Sequence, residues 1–347
     1  MTVSFGAFWT QLADNPTLLI TSLLTMGVIF VNGWTDAPNA IATCVSTRAM
    51  TPSAAIAMAS VCNFLGVFVM STVNASVAMT IRNMVDFGGD TRRASVALCA
   101  ALTAIVVWAV AAWYFGIPTS ESHALIAGLS GAAIALQGGI HGIRFAEWGR
   151  VLLGLVVSVA VGFALAFFGG KWLRVCCSST DRPIIDRTFR RAQIASGAAM
   201  AFMHGAQDGQ KFMGVFLLGI GLTNGQPHAS YVLPVWLMVL CSAVMAVGTS
   251  VGGGRIIKSV GMDMVKLKPD QGFVADMAGA GCLLLSSVCG LPVSTTHTKT
   301  AAVMGVGASY RRFGVRWSTV REMIVAWILT FPCCGLIGYL IAAFAIP

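Results

Sequence analysis

Long apolar stretches, each free of charge, alternate with short polar connections along almost the whole chain. Runs without Asp, Glu, Lys or Arg cover residues 15–35, 49–81, 94–120, 151–170, 212–254 and 323–347. Each reaches the roughly 20 residues that span a hydrocarbon core, and the longest have room to cross and turn back. Their Gly, Pro and polar interruptions predict helices at about 17–32, 53–79, 94–115 and 150–170 in the first half, with a short apolar arm at 124–137. The second half repeats that order, with helices at about 193–222, 231–252, 271–289 and 322–345 and a short arm at 298–308.

The repetition extends to individual residues. Gly33-Trp34-Thr35-Asp36-Ala37-Pro38-Asn39 is echoed by Gly205-Ala206-Gln207-Asp208-Gly209-Gln210-Lys211, an offset of 172 in numbering between the two aspartates. Gly116-Ile117-Pro118-Thr119-Ser120-Glu121-Ser122-His123 is echoed, at an offset of 174, by Gly290-Leu291-Pro292-Val293-Ser294-Thr295-Thr296-His297. Two unrelated motifs that share nearly one offset point to an internal duplication. Five apolar segments per half is an odd number, and it stays odd if the arms around each Pro-Ser loop form a re-entrant hairpin instead of two crossings. An odd count inverts the second copy. The expected fold is therefore an all-α integral membrane protein of two inverted-topology repeats, residues 1–170 and 193–347, joined by a basic linker at 171–192. Broken helices or re-entrant hairpins meet near the midplane, as in secondary transporters.

Composition agrees. With 56% hydrophobic and only 10% charged residues, the chain falls far from the roughly 25% charge of soluble domains. The formal net charge of +9 is no nucleic-acid signal, because the cations sit between apolar runs, at 171–191, 255–268 and 311–321. The positive-inside rule makes those segments cytoplasmic, with both termini and the second Pro-Ser loop outside and the first Pro-Ser loop inside. Arg82, Arg92 and Arg93 fit that path poorly. No Lys or Arg precedes the first run, so it reads as a retained helix and not as a cleaved signal. The absence of a large polar insertion points to a prokaryotic inner membrane. The ten cysteines show no C-x-x-C spacing and read as small membrane-helix residues, not as a disulfide framework or metal site. No cofactor is implied.

A carboxylate near the midplane costs several kcal/mol, so Asp36 and Asp208 must face protein or water and have partners. Gly33, Pro38, Gly205 and Gly209 would unwind their helices locally and expose backbone groups beside the carboxylates, an arrangement that holds a cation or proton. The Pro-Ser loops have the opposite character. Ser120, Ser122, Ser294, Thr295 and Thr296 stand at the start of the short arms, where free N–H groups and the helix dipole favour an oxyanion. His123, His204 and His297 stand where they would relay protons or orient the loops, and His141 and His228 carry no role. H-E-x-x-H does not occur, which argues against a membrane-embedded metallohydrolase. An anion channel would use the same helix termini and differs from a carrier in its kinetics.

These four motifs resemble the signature of the PiT inorganic phosphate transporters, in which each half carries Gly-Ala-Asn-Asp-x-x-Asn-Ala followed by Gly-[Leu/Ile]-Pro-x-Ser-x-[Ser/Thr]-His. The resemblance covers most of the chain. It implies phosphate bound between the halves, symport with protons or sodium, and a homodimer. On this basis Asp36, Asn39, Thr43, Ser120, Ser122, Asp208, Lys211, Ser294, Thr295 and Thr296 are expected to bind phosphate, and Asp36, Asp208, Thr35, Gln207 and Glu121 to couple it to a cation or proton. Three departures matter. The asparagine before each aspartate is Thr35 or Gln207, the asparagine after the second aspartate is Lys211, and Glu121 stands where the second copy has Thr295. Lys211 in place of a transported cation, or in contact with the anion, would favour protons over sodium. Some relatives of this family carry sulfate, and phosphate complexed to a divalent metal is a further alternative.

Overall fold

The computed structural model describes residues 3–115, 119–226, 232–251, 257, 265–310 and 315–346. Among them all regular structure is helical, as patterning predicts. The helices of the first half are α1 (Phe5–Asp14), α2 (Pro16–Thr35), α3 (Pro38–Ser46), α4 (Pro52–Val73), α5 (Ser76–Asn83), α6 (Thr91–Phe115), α7 (Glu121–Gln137) and α8 (Phe145–Cys176). Those of the second are α9 (Arg182–Thr223), α10 (Val235–Val251), α11 (Pro269–Val288), α12 (Thr295–Tyr310) and α13 (Trp317–Ala345). Among the described residues, six segments are long and apolar enough to cross a membrane.

Local chemistry explains where these helices break. Asn15 ends α1 and caps α2, accepting from Thr17 N at 3.0 Å and Leu18 N at 3.2 Å with Pro16 at the first helical position. The single helix expected at 53–79 divides because Asn74 leaves the helical region, caps Ser76 N at 2.9 Å and reaches the carbonyl of Val288. The basic segment 171–192 is helical except for residues 177–181. At about 1.5 Å per residue α9 is roughly 63 Å long, more than a bilayer needs, so its arginine-bearing start extends beyond the apolar slab.

Packing exchanges elements between the halves. Helix α7 packs along α13 and α12 along α8, while α2 packs on α10 and α9 on α4. Each of these contacts becomes its partner when the copies are swapped. Single residues show the same exchange: a Cβ on Gly131 of α7 would fall 2.0 Å from Gly335 O, and one on Gly305 of α12 would fall 2.3 Å from Phe163 O. The duplication relates Gly131 to Gly305 and Phe163 to Gly335, at the same two offsets as the motifs. Small residues that let backbones touch are how helices associate where water does not drive burial. Neither half closes a core alone.

Helices α7 and α12, at 17 and 16 residues, are about 25 Å long and fall short of the hydrocarbon thickness. Both begin earlier than the arms expected at 124–137 and 298–308, because Ser120 and Ser294 cap them. Ser120 Oγ accepts from His123 N at 3.4 Å and Ser294 Oγ from His297 N at 3.2 Å. The two tips meet, with the serine hydroxyls 2.8 Å apart. Gly116, Ile117 and Pro118 of the first loop, His228, and parts of the basic segments 255–268 and 311–321 lie outside the described residues.

Candidate functional site

The first aspartate motif breaks its helix. Asp36 caps the C-terminus of α2, one residue past its last member Thr35, and Pro38, which has no N–H to donate, opens α3. The second motif departs from the expectation: α9 runs unbroken from Arg182 to Thr223 through Asp208. No proline follows Asp208, and the two glycines that were expected to unwind the helix serve close packing instead. A Cβ on Gly205 would lie 2.4 Å from Asn63 O, and one on Gly209 2.4 Å from Val67 Cγ2.

The broken and the continuous helix bring both carboxylates to the tips of the short arms. Asp36 Oδ1 accepts from Asn39 Nδ2 at 2.7 Å and from Thr296 Oγ1. The Thr295 hydroxyl stands between the aspartates, 3.5 Å from Asp36 Oδ2 and 3.2 Å from Asp208 Oδ2. Lys211 Nζ donates to Asp208 Oδ1 at 2.6 Å, to Ser122 Oγ at 2.7 Å and to Val293 O. One ammonium therefore ties together α9, the first tip and the second loop. Glu121 Oε1 accepts from Thr35 Oγ1 at 2.9 Å, whereas its other carboxyl oxygen is buried without a partner among the described residues. Gln207 donates to Ser287 Oγ of α11 at 2.9 Å and accepts from Val293 N of the second loop at 3.5 Å. All of these side chains are buried.

Of the thirteen residues singled out by sequence, twelve converge here and one does not. Thr43 lies one turn beyond Asn39 on α3, where its hydroxyl donates to Asp276 at 2.6 Å. Ser120 and Ser294 are present at the centre, engaged in capping and in contact with each other. His123 and His297 meet edge to face with ring centroids 4.2 Å apart, and His297 packs on Trp327 at 3.7 Å.

Sequence reasoning missed Asn32 and undervalued His204. Asn32 Nδ2 donates to Asp208 Oδ2 at 3.2 Å, and His204 Nε2 lies 3.3 Å from the same oxygen, its other ring nitrogen 3.1 Å from Asn63 Oδ1. The signal was available. Asn32 and His204 are related by the same offset as the two aspartates, each one turn before its own. Asp36, His204 and Asp208 each offer one ligand atom, all within 4.8 Å of one another, which is suited to a bound cation.

Three carboxyl groups, one ammonium and a ring of hydroxyls at two helix starts can hold a small anion together with cations that balance it. The sequence model of the phosphate transporter family matches residues 32–184 and 172–338. A probable low-affinity inorganic phosphate transporter of Bacillus subtilis (strain 168) is 35% identical over 324 residues, covering 92% of this chain and 96% of that protein. One of the same description from Rhizobium meliloti (strain 1021) is 36% identical, covering 93% and 95%. A solved structure titled the sodium-dependent phosphate transporter superimposes with a TM-score of 0.83, covering 94% of this chain and 98% of that one at 21% identity, and so shares the fold. With a family match across both halves and relatives aligned nearly end to end, this chain belongs to the phosphate transporter family.

Proposed function

We infer that the protein is a secondary transporter that imports inorganic phosphate in symport with protons. The observation that carries this reading is the cage around Lys211. A carboxylate, a hydroxyl and a backbone carbonyl surround its ammonium, and these are the oxygen ligands that a sodium ion takes in such transporters. The lysine is a tethered cation in a cation's place. A sodium ion 4 Å from it would be repelled by about 4 kcal/mol at an effective dielectric near 20.

Charge balance leads to the same conclusion. Asp36, Asp208 and Glu121 outnumber Lys211 in a buried site, and phosphate adds negative charge. Each uncompensated buried ion costs several kcal/mol, so the anion enters with compensating cations, and the tethered ammonium of Lys211 favours protons in that role. Glu121, with one carboxyl oxygen unpartnered, is the residue assigned to carry one. Phosphate is favoured over sulfate because its hydrogen forms donate a hydrogen bond to Asp36 or Asp208, whereas sulfate meets only repulsion there.

Sodium coupling is the second reading, favoured by the convergence of Asp36, His204 and Asp208. Labelled phosphate uptake into proteoliposomes separates the two. Under an inward proton gradient without sodium we expect accumulation that sulfate leaves intact and that Asp36→Asn and Asp208→Asn abolish. A strict sodium requirement would overturn the assignment of Lys211, and competition by sulfate would move the substrate to sulfate. The termini are assigned to the exterior and segment 171–191 to the cytoplasm by its arginines. A homodimer is the expected assembly, to be read from the mass in detergent.

A further inference from the structure

A second buried ion pair lies beyond the central aspartates. Asp276 of α11 and Lys299 of α12 are bonded to each other, and neither is accessible. Thr43 Oγ1 donates to Asp276 Oδ1 at 2.6 Å and accepts from Lys299 Nζ at 3.0 Å, and Ala40 O accepts from the same ammonium at 3.4 Å. Ser196 Oγ lies 3.4 Å and Cys44 Sγ 3.9 Å from Asp276 Oδ2. Nearby, Gln193 of α9 is fully buried, and its amide nitrogen has no partner among the described residues.

This cluster is the next layer of the contact that holds the central site. Lys299 is one turn after Thr296 on α12 and Thr43 one turn after Asn39 on α3. Ser196 and Gln193 come three to four turns before Asp208, which places them roughly 18–22 Å along α9 toward its arginine-rich start.

At the corresponding positions of the first half the duplication places apolar residues. An offset of 174 relates Asp276 and Lys299 to Leu102 and Leu125, and an offset of 172 relates Thr43 to Val215. All three counterparts are fully buried in the apolar core. An apolar layer fills the space at least as well as a buried ion pair, whose desolvation offsets its attraction. Charges inside a membrane segment characteristically face a substrate or ion path.

We propose that Lys299, presented by Asp276, is a second oxyanion station on the route between the central site and the basic end of the molecule. When α12 moves away from α3, the ammonium releases Thr43 and Ala40 O and takes up the departing anion, while Asp276 holds it in position. This rests on the central site binding phosphate.

The test uses the full chain with Asp276→Leu and Lys299→Leu together, which installs the apolar pair of the first half. Phosphate binding to the purified protein should stay within twofold of wild type, while uptake and phosphate exchange in proteoliposomes fall at least tenfold. Transport at the wild-type rate would overturn the proposal. Cys44 supplies a second measurement that does not depend on that variant. With the other nine cysteines replaced by Ala, Cys44 should react with a small charged methanethiosulfonate from the side of the basic end only. Protection of Cys44 from both sides, with and without phosphate, would also overturn it. Wild-type protein that neither binds nor moves phosphate would sink the reading of the central site instead, and Cys44 labelling would still decide whether this layer opens to water.

Discussion

Replacing Lys211 with Met keeps most of the side-chain volume and removes the ammonium. Asp208 then retains Asn32, Thr295 and His204 but loses its 2.6 Å partner, while Ser122 and the Val293 carbonyl each lose a donor. Breaking a buried pair from one side costs about 3–5 kcal/mol, mostly through the charge left behind. At about 1.4 kcal/mol per decade this is roughly a 10²- to 4 × 10³-fold change in the equilibrium the pair supports. The assay is thermal unfolding in detergent for Lys211→Met, Asp208→Asn and the double variant. Coupling between the two should exceed about 1 kcal/mol, because Asp208→Asn removes the charge that Lys211→Met strands. Lys211→Asn, which restores the asparagine of the first copy, should gain about 2.7 kcal/mol in sodium at a hundred times its dissociation constant, by mass action. Wild type should gain nothing. Additive single effects within about 0.5 kcal/mol, or a Lys211→Asn protein indifferent to sodium, would refute the reasoning that the lysine stands in for a cation.

Three further outcomes are expected. Glu121→Gln should keep phosphate exchange but lose accumulation driven by a proton gradient, as measured by comparing exchange with net uptake. Thr295→Val removes the hydroxyl that separates the two aspartates and should lower phosphate affinity roughly tenfold or more, given about 1.5–3 kcal/mol for a hydrogen bond to a charged group, read by binding of labelled phosphate. Gly131→Ala and Gly305→Ala should each lower thermal stability, since the added carbon falls 2.0 Å from Gly335 O in one case and 2.3 Å from Phe163 O in the other. Because the two contacts are related by the duplication, their losses should be similar.

Helix positions, the paired motifs and the family were legible in the chain because each depends on local or repeated information. Membrane helices satisfy their own backbone hydrogen bonds, so a charge-free run and a capping Asn or Pro nearly suffice to place them. The duplication, by setting Asp36 against Asp208 and the first loop against the second, named the partners before any fold was available. What the chain could not specify was which copy keeps a feature. Gly205 and Gly209 resemble helix breakers, yet only their contacts with Asn63 and Val67 on α4 show that they are packing residues and that α9 continues through Asp208. Thr43 has the composition of a site residue, and only the packing of α3 on α11 and α12 assigns it to Asp276 and Lys299 instead of Asp36. The sequence by itself determined the main apolar helices, their order and the chemistry within each motif. Tertiary structure alone decided which buried polar groups meet, because a hydrogen bond or ion pair in an apolar interior depends on angstrom-scale distances between residues as far apart in sequence as Asp36 and Thr296.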